Sequence, residues 1–291
     1  MALRTPVGNE LVERLAAVGA IDGPAKPLAK MIRELTKPKA LKEALSGTWL
    51  GHPVHPVLIA VPIGSWTSAV LLDWLGGEDA EASADGLVAA GLLAAVPTVA
   101  TGYNDWADSE PASDYVRRVG TVHAALNATA ATLFGASLAA RRSDDRGRGK
   151  LLALAGFAVV SGGGYLGGHM TYAKGVGVDL TTFEDYPEDW TAVLADAALG
   201  EAESRAVEID GVPIMVARWE GEVHALANTC VHRGGSLADG ELHDGCVTCP
   251  LHSSTYRLQD GSVERGPATF PQPTLEARVR DGSIEVRAPA A

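Results

Sequence analysis

Cysteine is scarce in this chain. Three residues in 291 are too few for a disulfide scaffold. Aromatic residues are scarce too, at 5%. There is no excess of positive charge: the formal net charge is −12. A chain this acidic lacks the basic, phosphate-tracking surface of a nucleic-acid binder, so no nucleic-acid partner is expected. Residues 1–52 hold no apolar core ahead of a small-residue cleavage site, so no secretory leader is expected there. The charge is also uneven. Residues 178–291 carry 20 Asp/Glu against 8 Lys/Arg, which leaves 16 of each sign elsewhere. The acidic excess belongs wholly to the C-terminal third.

Glycine is plentiful, at 33 residues, and so are charge-poor runs. Stretches 57–75, 86–103, 120–140 and 151–169 are nearly free of charge. As helix, each is long enough to cross the apolar core of a bilayer. Their Gly and Ala suit close helix packing in lipid, where small residues let backbones approach. The expected fold is therefore an N-terminal all-α four-helix transmembrane bundle followed by a C-terminal all-β domain. The expected boundaries are a basic amphipathic segment 1–52, the membrane domain 53–172, a linker 173–189 and the β domain 190–288. In the first segment, Leu28, Met31, Ile32 and Leu35 follow helical spacing, and Leu41 and Leu45 continue it beyond Pro38. That helix either packs on the protein or lies on an anionic membrane surface. Asp73, near one end of the first run, reads as a solvated helix-end residue. The location expected is the cell membrane, crossed several times. The basic N-terminus favours a cytoplasmic β domain, although the loop basic residues barely separate the two faces.

From about residue 190 the pattern changes to short alternating runs broken by turns. "AVEIDGVPIMVARWEGEVHAL" alternates, turns at Asp210–Gly211, and turns again at Glu220–Gly221. Asp-Gly recurs at 239–240, 244–245, 260–261 and 281–282. Asp-Gly between alternating runs is a strong hairpin signal.

All three cysteines lie within 230–249, beside three of the eight histidines of the chain. Cys230 and His232 form C-x-H; Cys249 and His252 form C-x-x-H. Two Cys and two His are one known ligand set for structural zinc. The pairing C-x-H…C-x-x-H, with "HRGGSL" after the first pair, "CPLH" at the second and "GPA" at 266–268, resembles the Rieske [2Fe–2S] family. The resemblance implies that Cys230 and Cys249 bind one iron and that His232 and His252 bind the other. It implies that Ser254 and Tyr256 tune the cluster through hydrogen bonds. It also places Gly235 and Leu251 where some relatives carry a bridging cysteine pair, so that disulfide is absent here. Imidazole ligands in place of thiolates ease electron uptake, and Rieske potentials lie at about −150 to +300 mV. The expectation here is a potential between the disulfide-bearing members and the soluble ferredoxins. Cys246 reads as a buried strand residue.

The membrane half resembles a small four-helix family of unassigned function, on "GHPVHPVLIAVPIG" and the "GG…GVGV" tail. It supplies His52, His55, His123 and His169, with Asn104, Asp105 and Trp106, all expected near one face. Three readings stand open for the histidines. They are hydrogen-bonding residues at helix ends, ligands of a b-type haem between facing helices, or proton acceptors at a quinone site. The Rieske resemblance implies an electron-transfer component of an oxidoreductase. It would pass single electrons between a membrane donor, quinol or haem, and a redox partner protein. The alternative is a tethered redox sensor or assembly module whose spans act only as an anchor.

Overall fold

The computed structural model describes residues 7–290; the first six residues of the N-terminal segment lie outside them. Among the described residues, eight α-helices come first: α1 (Val7–Ala16), α2 (Asp22–Leu35), α3 (Lys39–Ser46), α4 (Val54–Leu58), α5 (Ala60–Leu75), α6 (Glu81–Ser109), α7 (Asp114–Arg142) and α8 (Arg146–Lys174). Ten strands follow: β1 (Thr191–Ala195), β2 (Glu203–Ile209), β3 (Val212–Trp219), β4 (Glu222–Ala227), β5 (Glu241–His243), β6 (Cys246–Thr248), β7 (Thr255–Arg257), β8 (Val263–Arg265), β9 (Thr274–Arg280) and β10 (Ser283–Arg287). They form two compact units. One takes the described residues up to Lys37 together with Val54–Val176; the other takes Pro38–Pro53 and the chain from Gly177 onward. The stretch 1–52, expected as one segment, thus divides at Pro38. Proline disfavours helix in the residue before it, so α2 ends there and the chain is free to change partners.

In the helical unit, four segments are long and apolar enough to cross a membrane: Val54–Leu75, Glu78–Ala112, Asp114–Arg142 and Arg146–Lys174. α5 packs on α6 and α8, and α7 packs on α6 and α8, closing a four-helix ring. Its core is small-residue packing around two rings. Trp66 and Phe134 stack at 4.3 Å, and a Cβ on Gly91 would stand 2.3 Å from the Trp66 ring. The outside is apolar: Leu75 is 80% exposed, Leu93 75% and Val96 70%. Large apolar side chains outside and glycine inside are the arrangement that lipid favours.

Two expectations for this unit are corrected. α2 does pack on the bundle, against α6 and α7, but through Ala25 and Ala29, both fully buried. Met31 and Leu35 point out at 53% and 63%. The small face allows close approach, and polar bonds hold it: Arg33 to Glu110 at 2.7 Å, and Arg118 to Asp22 at 2.8 Å. Asp73 is not solvated but only 5% exposed. The "RR" that ends α7 brings Arg141 back onto it, Nη1 to Oδ1 at 2.9 Å, and Arg146 adds a bond at 3.1 Å.

The β unit has a six-stranded antiparallel sheet, ordered β1-β10-β9-β4-β3-β2, and a four-stranded one, β5-β6-β7-β8. Turns at 210–211, 220–221, 244–245 and 281–282 have positive φ at both central residues, the geometry that matches strand twist in a two-residue hairpin. Asp239–Gly240 and Asp260–Gly261 are not such turns. Gly240 has φ −87 at the end of a 3-10 turn, and only Gly261 of the second pair is positive. β3 is buried on both faces. Ile214 and Val216 join Leu275, Ile284 and Val286, while Met215 and Ala217 join Leu226, Val247, Tyr256 and the Cys230/Cys249 pair. The second cluster lies between the sheets and carries the site.

Candidate metal centre

Two loops with one backbone design hold the Cys/His pairs. In the loop after β4, Cys230 N donates to Gly235 O at 2.8 Å and Gly234 N donates to Cys230 O at 2.8 Å. In the β6–β7 loop, Cys249 N donates to Ser254 O at 2.8 Å and Ser253 N donates to Cys249 O at 3.0 Å. Both turns need a left-handed residue at the same step, Gly234 at φ +71 and Ser253 at φ +63. Glycine meets that demand freely; Ser253 meets it at a cost.

The loops bring all four side chains to one place, sorted by type. Cys230 and Cys249 are 1% and 2% exposed. Both join the cluster of buried residues between the sheets; the neighbouring Cys249 thiol and burial push Cys230 up, while Cys249 is held below the usual thiol range. His232 and His252 are half-buried, with ring centroids 5.1 Å apart and planes at 85°. Burial, then the charges of Arg233, His252 and Lys42, hold His232 far below the usual imidazole range. A neutral imidazole is the form that binds metal.

Among the described residues, no three of His, Cys, Asp and Glu converge on one metal position. A structural zinc needs four donors around one ion. A two-iron cluster in which each iron takes two protein ligands needs a thiol pair beside an imidazole pair, and the donors here are divided that way. The residues therefore fit a Rieske cluster better than a mononuclear ion.

Neighbouring groups support the loops. Tyr256 is fully buried, with its OH 3.1 Å from Cys230 Sγ. Burial and the neighbouring Cys230 push its phenol up, which keeps it an O–H donor. Ser254 Oγ accepts from Ala268 N at 3.0 Å, which ties the "GPA" loop to the second turn. A Cβ on Gly235 would stand 2.9 Å from Cys249 Sγ and 3.0 Å from Leu251 Cγ, so positions 235 and 251 adjoin across the two loops. Cys246 lies in β6, 5% exposed.

Gln272 was not singled out by sequence reasoning, since one Gln between two prolines carries no motif signal. It is 2% exposed. Its Nε2 donates to Ala227 O and Thr229 O at 2.9 and 2.8 Å, and its Oε1 accepts from Val231 N at 3.1 Å. It thus clamps the backbone on both sides of Cys230. Gln272→Leu orphans several buried groups and is expected to destabilise the β unit by about 3 kcal/mol. Thermal unfolding checks this; an unchanged midpoint would remove Gln272 from the account.

The membrane-half histidines are held separately. His55 Nδ1 is 3.0 Å from Thr98 O on α6, and a Cβ on Gly102 would stand 2.7 Å from its ring. His123 Nδ1 is 2.8 Å from Gly163 O on α8. His169 Nε2 is 2.8 Å from Tyr115 OH on α7. His52, expected beside them, falls in the β unit, where its ring meets Phe270 edge-on at 6.0 Å.

Comparison with known proteins matches both halves. Residues 189–276 match the Rieske [2Fe–2S] domain, and residues 51–180 match "Predicted membrane protein (DUF2231)". Apoptosis-inducing factor 3 of Mus musculus is 31% identical over 83 residues, 27% of this chain and 14% of that protein. The ferredoxin component of the naphthalene 1,2-dioxygenase system of Pseudomonas aeruginosa is 29% identical over 69 residues, 24% of this chain and 66% of that protein. Among solved structures, the ferredoxin of carbazole 1,9a-dioxygenase from Nocardioides aromaticivorans IC177 is 26% identical with a TM-score of 0.33, covering 35% of this chain and 100% of that one. The chain thus unites, in one polypeptide, a DUF2231 predicted membrane protein domain at 51–180 and a Rieske [2Fe–2S] domain at 189–276.

Proposed function

We propose that this is a membrane-anchored Rieske electron-transfer protein, and that Cys230, Cys249, His232 and His252 hold its cluster. Bound there, a [2Fe–2S] cluster supplies one-electron redox chemistry. The observation that carries the reading is the sorting of donors, with two buried thiols at one end and two half-exposed imidazoles at the other. The thiols keep one end dry. The imidazole end, nearer to solvent, is where a protein acceptor would dock. An excess of 12 negative charges over residues 178–291 would steer a basic acceptor toward it. The ferredoxin relatives belong to dioxygenase systems, which makes an oxygenase one class of acceptor. The donor would be a quinol or a haem in the bilayer, with His55, His123 and His169 as the residues to test. The β unit would face the cytoplasm.

The test is a single-turnover assay on the full-length protein in detergent. Chemically reduced protein is mixed with a basic one-electron acceptor protein. Fast oxidation that slows as salt rises supports the carrier. No transfer to any protein acceptor, together with partner binding that follows the cluster's redox state, would support a tethered sensor instead.

The Tyr256 contact gives a second expected outcome. A hydrogen bond to a ligand sulfur favours the reduced, more negative state. Tyr256→Phe is expected to lower the cluster potential by about 60 mV, a tenfold change in its one-electron equilibrium. A redox titration checks this, and an unshifted potential would leave Tyr256 a packing residue.

A further inference from the structure

The exposed large apolar side chains of the β unit gather in one region. Trp49 is 69% exposed, Phe183 77% and Leu251 56%, and Leu50, Leu180 and Phe270 are open as well. Among the described residues of that unit, only Leu41 and Val279 of this kind stand outside the group. The group borders the loops that carry the Cys/His pairs. A Cβ on Gly234 would stand 3.5 Å from Leu180, and one on Gly235 would stand 3.0 Å from Leu251, so these two leucines flank one turn of the first loop. Thr229 Oγ1, just before Cys230, donates to Glu184 Oε1 at 2.5 Å, which ties in the neighbour of Phe183. Thr48 Oγ1 donates to Ala268 O at 2.9 Å, and the His52 ring meets Phe270 edge-on, so Trp49 and Leu50 follow the 266–270 loop. Ala268 N is in turn bonded to Ser254, two residues past His252.

A contiguous apolar surface of this kind marks a face that something else covers. Its place in the chain and its composition say what. Trp49 and Leu50 lie within five residues of Val54, where the first apolar span begins. Leu180 and Phe183 lie within nine residues of Lys174, where the last one ends. A chain advances at most about 3.6 Å per residue, so five residues hold Trp49 within about 18 Å of the first span. Tryptophan beside the end of a span is characteristic of the membrane–water interface, and Trp, Phe and Leu together make the apolar face of segments that lie in it.

We propose that this rim rests on the lipid surface, with its aromatic and leucine side chains at the boundary between headgroups and acyl chains. The contact itself does not depend on what the four Cys and His side chains hold. Its consequence rests on the ligand reading above. The imidazole end would exchange electrons at the membrane surface, where a donor carried in the bilayer can reach it. A protein acceptor would then approach along the membrane rather than from open water.

The test uses the full-length, cluster-loaded protein in phosphatidylcholine vesicles, with and without bromine on the upper acyl chain as a contact quencher of indole fluorescence. Leu251→Trp and Phe183→Trp each add one indole to the rim. Val279→Trp adds one at an exposed position on β9, outside the rim. Emission added at 251 and 183 is expected to fall by half or more in brominated vesicles, since interfacial side chains sit about 5–10 Å into this boundary. Emission added at 279 is expected to stay unchanged. Trp49→Phe is expected to remove quenchable emission from the wild type, and it decides the matter if an added indole disturbs a loop. Emission at 251 and 183 that bromine spares and aqueous acrylamide quenches would put the rim in water. Emission that both spare would put a protein surface over it. Either result overturns the proposal. The paramagnetic signal of the reduced protein is recorded alongside, and its absence would overturn the ligand reading whatever the quenching shows.

Discussion

His252→Ala, made in the full-length protein, is expected to abolish the paramagnetic signal of the reduced cluster while the strands stay folded. The turn around His252 is closed by backbone bonds, Cys249 N to Ser254 O and Ser253 N to Cys249 O, that do not involve the ring. Removing the imidazole therefore removes a ligand and leaves the turn. With two protein ligands per iron, the variant would leave one of the irons a single protein ligand, that from His232. Two controls make the test specific. Cys246 is buried in β6, apart from the facing thiols, and Cys246→Ala is expected to keep the full signal. His243, whose Nε2 is 2.9 Å from Thr248 Oγ1, should likewise be dispensable. Iron content and circular dichroism separate loss of cluster from loss of fold. A full signal in His252→Ala would mean that the ligands are misassigned.

The second large effect lies in the helical unit. The side chains of Arg141 and Asp73 are both completely inaccessible and paired through two bonds. Asp85 adds a bond to Arg141 at 2.7 Å, and Arg146 bonds Asp73 and Asp85 at 3.1 and 3.0 Å. Arg141→Met leaves three carboxylates, Asp73, Asp85 and Glu81, to the one guanidinium of Arg146, with Asp73 still sealed from water. Breaking a buried pair by removing one partner typically costs about 3–5 kcal/mol. Replacing both members with apolar residues of similar size is often neutral. So Asp73→Leu combined with Arg141→Met is expected to recover most of the loss seen in the single variant. Thermal unfolding of the purified protein in detergent measures both. Equal loss in the single and double variants would show that the pair contributes through shape rather than charge.

The two halves were legible in the sequence to different depths. The C-x-H…C-x-x-H spacing carries the proposed ligand pairs because local loops bring them together, and a local loop is written in consecutive residues. The hairpins were legible where Asp-Gly or Glu-Gly sits between alternating runs. The signal misled at 239–240, and at 260–261 it marked a real hairpin, β7–β8, closed by a longer loop in which Gly261 packs against the Gln272 carbonyl. Long-range partners left no trace in the pattern. Asp73 looks like a helix-end residue until α7 returns Arg141 to it, 68 positions later. Gln272 reaches back 41 residues to Val231. In α2 hydrophobic periodicity named the packed face only in part: Leu28 and Ile32 are half-buried, but Met31 and Leu35 are exposed while Ala25 and Ala29 make the close contact.

The most direct test of the central claim is nitrogen-sensitive magnetic resonance on the reduced cluster of the wild-type, full-length protein. The account predicts strong couplings from two imidazole nitrogens, one each from His232 and His252, with two irons and two sulfides per chain. A cluster with no directly bound nitrogen, or a chain carrying one zinc and no iron, would contradict it.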